Sequence, residues 1–143
     1  MLNNLAEYFQ DEQEIFLESI VYSKIDNLIT ADFSLNCTDN INTQVLDKQG
    51  VKIIVTRTLE FEPESIFSLK VAFGAKLYFE ESKANAIDWN KLDLADEFRE
   101  NGEFIVSELM SRITLMIAQI TASFGQVPLI LPPVIPGNGE KEK

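Results

Sequence analysis

Residues 103–134 read EFIVSELMSRITLMIAQITASFGQVPLILPPV, and this stretch decides the fold. Between Glu103 and Phe124, apolar residues recur every three or four positions (Val106, Leu109, Met110, Ile113, Met116, Ile117, Ile120, Phe124), which predicts one long helix. Gly125 suits its C-terminal cap, and Pro128 stops any continuation. An extended block, Leu129-Ile130-Leu131-Pro132-Pro133-Val134, follows. The helix is apolar beyond one stripe. Ile105, Leu115, Ala118 and Ala122 lie off it, and Ser107, Ser111, Thr114, Ala118 and Thr121 make a flank of small residues. Small side chains at this spacing let a second backbone approach closely. Fully burying one Leu or Ile contributes roughly 1.5–3 kcal/mol, so such a helix demands cover on two sides. Self-association through Ser107, Ser111, Thr114, Leu115, Ala118 and Ala122 would supply it. The alternative is cover within one chain, by a short helix and residues 129–134.

Upstream the pattern has period two. Ile15, Leu17, Val21 and Ile25 alternate with Glu18, Tyr22 and Lys24, which predicts a strand from about Glu14. Asp26-Asn27 suits a turn. A second strand is expected over Ile29–Cys37, and a polar loop over Thr38–Gly50. The third strand is the cleanest, with Val51, Ile53, Val55, Leu59 and Phe61 on one face and Lys52, Thr56, Thr58, Glu60 and Glu62 on the other. After a turn at Pro63-Glu64-Ser65, a fourth strand runs from Ile66 to Glu80. Ser82–Asn90 reads as a loop and Lys91–Glu100 as a short helix, broken by Asn101-Gly102. Strands followed by helices give an α+β class: a four-stranded antiparallel meander with a long helix packed on one face. Residues 1–13 form an N-terminal arm, 14–135 a single domain, and 136–143 a tail with nothing to bury, expected to be disordered.

Composition removes whole classes of function. The net charge of −11 repels phosphate backbones, so nucleic acid is not an expected partner. The same charge keeps an apolar-rich surface soluble and favours cationic partners. Asp11, Glu12 and Glu14 would suit a cationic peptide or be simply solvated. The chain contains no histidine, which removes the commonest general base and metal ligand together. Its single cysteine, Cys37, permits no internal disulfide and reads as a small buried hydrophobe. Phe73-Gly74-Ala75 is a strand glycine, not a phosphate loop, and the adjacent acids Glu80-Glu81 and Asp96-Glu97 read as solvated charge. Arg57, on the apolar face of the third strand, is expected to be a paired structural charge. No signal-like segment and no run of 18 apolar residues occurs, so a cytoplasmic location without membrane insertion is expected. The reading is a binding protein that assembles: no enzyme, no cofactor, no metal.

The order of strands, loop, long helix and L-x-L-x-P-V resembles the SecB family of export chaperones. Arg112 and Ile113 within the helix and Leu129 to Val134 after it carry the likeness, with the long strand Ile66–Glu80 fitting in position and length. The resemblance implies a homotetramer built as a dimer of dimers, with long helices sandwiched between two outer sheets. It further implies an ATP-independent holdase for unfolded polypeptides, acting in export with a translocation motor, or else an adaptor or antitoxin-type chaperone with one dedicated peptide partner. A client groove beside the helix would be lined by Trp89, Phe98, Leu129 and Leu131, Trp89 serving either there or as a core plug. The sequence departs from the family in two places. Only about Asp26–Leu28 is available for the family's long crossover between its first two strands. Where the family has a second helix, this chain reads Ile135-Pro136-Gly137-Asn138-Gly139.

Overall fold

A computed structural model of the chain describes residues 2–26, 32–125 and 127–135. After a 3-10 turn at Leu5–Tyr8 come β1 (Phe9–Ile25), β2 (Ser34–Leu46), β3 (Gly50–Glu62) and β4 (Ile66–Phe79). Two short 3-10 turns lead to α1 (Leu94–Asn101) and α2 (Glu103–Ala122). The class is α+β, with the long helix packed on one face of a four-stranded antiparallel sheet.

The strand order is β1-β4-β3-β2. β2, β3 and β4 are the expected meander, but β1 pairs with β4 along its length, from Phe9↔Phe79 to Ile25↔Ile66. This is a Greek-key order. Alternation along one strand identifies a strand and not its neighbour, so periodicity could not have supplied the difference. It also revises the first connection. Ile25 and Ser34 stand at opposite edges of the sheet, separated by about three strand spacings, roughly 14 Å. β1 and β2 are therefore not hairpin neighbours, and the turn expected at Asp26-Asn27 runs into residues outside the described ones.

Two boundaries move as well. β1 starts at Phe9, inside the segment read as an arm, and that segment is docked: Leu5 and Phe9 are buried, and the Leu2 amide donates to Glu97 Oε1 at 2.9 Å. Glu97 is thus buried and partnered, not solvated. β2 continues to Leu46 through the supposed loop. Its polar residues misled because it is an edge strand, where Asn36, Thr38, Asn40, Asn42 and Gln44 face water and only Ile41 is fully covered. Cys37 is exposed in the same strand although it shares a face with Leu35, Asp39 and Ile41, and is not the buried hydrophobe expected. Residues 27–31 and 136–143, and the expectations placed on them, lie outside the described residues.

β3 and β4 hold the core. Val51, Ile53, Val55 and Leu59 alternate inward on β3, as Leu69, Val71, Ala75 and Leu77 do on β4. Over them α2 seats Ile105, Leu109, Ile113, Ile117 and Thr121, each four residues from the last, with Met110 beside them. Ile105 and Thr121 therefore belong to the buried stripe, and Thr121 leaves the small-residue flank. Asp93 caps α1, its carboxylate accepting from the Asp96 amide. Gly50 opens β3 where a Cβ would stand 1.9 Å from the Leu77 carbonyl oxygen, so nothing larger fits.

Candidate functional site

The helix-side face of the sheet is covered unevenly. α2 lies over β4 and β3, and α1 reaches β2. β1 is left bare. Leu17, Ile20 and Tyr22 share a face with their cross-strand partners Phe73, Val71 and Leu69, which are buried. Yet the three β1 side chains are 48%, 40% and 43% exposed. The outer ridge of α2 is equally uncovered: Leu115 is 60% exposed, Ser107, Ser111 and Ala122 are exposed, and Thr114 and Ala118 are half-buried. A row of aromatic rings joins these surfaces at one end of the sheet. Phe33, Phe61, Phe67, Phe124 and Tyr22 succeed one another with centroids 5.2–5.6 Å apart. Phe33, Phe124 and Tyr22 present their rings to solvent.

Residues 127–135 form a strap. Gly125, with φ of 80°, turns the chain after α2. The strap then returns beside the helix. Its Leu129 amide donates to Thr121 Oγ1 at 2.8 Å, and Pro133, Val134 and Ile135 share a cleft of about 160 Å³ with Phe98, Glu103 and Val106. The lengths agree: six extended residues span about 20 Å, and fifteen helical residues about 22 Å. Leu129, Leu131 and Ile135 pack against the core, while Ile130 and Val134 face outward.

Arg57 anchors the C-terminal half of the strap. It lies on the apolar face of β3 directly across from Asp39 of β2. Its Nε and Nη2 donate to the two carboxylate oxygens of Asp39 at 2.7 and 2.8 Å. Nη1 donates to the Pro132 carbonyl at 2.7 Å, and Nη2 also to the Val134 carbonyl at 3.1 Å. Both side chains are nearly inaccessible to water. Burial works against the guanidinium charge, but the bonds to Asp39 and its negative charge, with Cys37 nearby, outweigh it and raise the Arg57 pKa. The expectation of a paired structural charge holds, and the strap carbonyls are an addition that the sequence did not announce.

The expected groove residues separate. Trp89 is a core plug, stacked on Phe79 at 4.8 Å and in contact with Phe9 and Tyr8. Phe98 is fully buried in the same cluster and lines the cleft from within. Leu129 and Leu131 are half-buried on the inner side of the strap, against the core. These four therefore do not form one open groove. The aromatic row was missed because Phe33, Phe61, Phe67 and Phe124 are far apart in sequence and meet only through the sheet order. Among the described residues, no group of three His, Cys, Asp or Glu is placed to hold a metal. By length and apolarity α2 would also pass for a membrane span, a test that core helices pass too, and its buried stripe is seated on the sheet.

A four-stranded antiparallel sheet with a long helix packed on one face is a SecB-like fold. The particular likeness is to the Mycobacterium tuberculosis Rv1957 SecB-like chaperone, solved in complex with a ChAD peptide from the Rv1956 HigA1 antitoxin. It has a TM-score of 0.63 at 13% sequence identity, covering 90% of this chain and 92% of that one. No family model and no curated protein sequence matches the chain.

Proposed function

We propose that the chain is a non-enzymatic, ATP-independent chaperone that holds non-native polypeptide, and that it works as a self-assembled oligomer in the cytoplasm. The observation that carries this reading is the uncovered apolar surface: the ridge of α2 around Leu115, the exposed Leu17, Ile20 and Tyr22 of β1, and the aromatic row. Exposed apolar area of this kind marks a surface that meets another polypeptide. A second copy is the natural occupant of the helix ridge, where Ser107, Ser111, Thr114, Ala118 and Ala122 let a backbone approach Leu115. The aromatic row then remains for client, removing apolar side chains from water at roughly 25 cal/mol per Å² with little regard to sequence. Four chains would carry about −44 in charge, which keeps a complex with an unfolded client soluble. Involvement with a translocation motor is the export form of this reading.

A dedicated adaptor is the second reading, and the antitoxin peptide in the complex of the similar Mycobacterium tuberculosis chaperone favours it. One assay separates the two: suppression of aggregation of several unrelated, chemically denatured proteins at stoichiometric chain. Protection of most of them is expected for the holdase. Protection of none, with capture of one peptide from a library, would establish the adaptor instead.

A further inference from the structure

The strap is fastened in an unusual way. Among the described residues it forms no strand, and no backbone–backbone hydrogen bond involves 127–135. Pro128, Pro132 and Pro133 lack the N–H needed to zip a segment onto a sheet. Its polar tethers come from two side chains, Thr121 in its first half and Arg57 in its second. Arg57 meets the strap through carbonyls two residues apart, a spacing that any extended chain presents and that carries no information about side chains. Arg57 and Asp39 are held in place by each other and by the β2–β3 register, not by the strap. The seat is thus built independently of its occupant. Gly125 precedes the strap, with no atom within 4 Å of where its Cβ would stand and a backbone that already turns.

We propose that residues 127–135 are an exchangeable occupant of this seat: an extended apolar segment of another polypeptide replaces the strap, its backbone carbonyls bonding to Arg57 and its alternate side chains entering the places of Leu129 and Leu131. The strap is then an internal stand-in for client that shields the β2–β3 face when none is bound. The client half of this proposal rests on the chaperone reading above; the exchange half does not.

The test uses the full chain and a fluorescein-labelled peptide of residues 127–135, followed by anisotropy. The wild type is compared with Thr121→Val, which removes one tether at constant volume, and with Leu129→Ser/Leu131→Ser, which weakens the strap and leaves the seat intact. Melting curves establish that each variant is folded. Folded variants that take up the peptide about tenfold or more tightly than wild type support exchange. Equal affinity in all three, or no binding to any folded form, overturns it. Competition by a reduced, carboxymethylated protein supports the client half; failure to compete while that protein binds elsewhere on the chain overturns that half. Should no form of the chain retain a non-native protein, the chaperone reading fails, and the anisotropy series still decides exchange.

Discussion

Arg57 and Asp39 form a buried pair whose value depends on both members being present. Removing one charge from a desolvated pair typically costs about 3–5 kcal/mol, because the survivor is stranded without water. Asp39→Ala is therefore expected to lower the unfolding free energy by an amount in that range, measured by urea titration. Asp39→Leu combined with Arg57→Met should recover most of it, since an apolar pair needs no compensation; what is not recovered reports the two strap carbonyls. Trp89 behaves in the opposite sense. Its Nε1 is buried with no partner among the described residues, so the indole forgoes a hydrogen bond usually found. Trp89→Phe keeps the stack on Phe79 and removes the unpartnered donor. It is expected to cost less than about 1.5 kcal/mol, against about 3–5 kcal/mol for Trp89→Ala. A large loss in the phenylalanine variant would mean that the indole nitrogen is bonded in solution.

At the scale of elements, two glycines make separable demands. Gly50 is fixed by close approach to the Leu77 carbonyl, and Gly50→Ala must push β3 and β4 apart, an overpacking loss of about 2 kcal/mol or more. Gly125 has open space but a left-handed backbone, so Gly125→Ala should cost only about 1–2 kcal/mol, with the loss confined to strap protection in hydrogen exchange. Loss of exchange protection throughout the sheet would contradict that division. These elements also explain what could be read in advance. β3 and β4 were legible almost to the residue because both are central strands whose inner faces are apolar, Arg57 on β3 excepted. α2 was legible because its stripe repeats every four residues. β2 was not, since an edge strand with polar residues on its wet side resembles a loop. The pairing of β1 with β4 was invisible for a different reason: neither strand's own pattern encodes its partner. The candidate site divides likewise. The small flank of α2 could be read from spacing, whereas the aromatic row, the docked N-terminus and the Arg57 anchorage exist only once distant segments meet.

For the whole molecule the decisive quantity is mass in solution. A subunit with Leu17, Ile20, Tyr22, Leu115 and Phe124 open to water on one side is expected to associate at micromolar concentration. Ser111→Arg or Thr114→Arg places a long charged side chain on the small flank of α2 and should shift light scattering to a smaller species with little change in secondary structure. A well-folded wild-type monomer at that concentration would remove the assembly from the proposal. The Greek-key order has a temporal consequence too. As a ribosome releases this chain, β1 is made first, yet its partner β4 is completed some fifty residues later. At 5–20 residues per second that is a wait of roughly 3–10 s. Throughout it, Phe9, Ile15, Leu17 and Ile20 have no neighbouring strand, so this chain begins its own life in the condition of the nascent polypeptides it is proposed to guard.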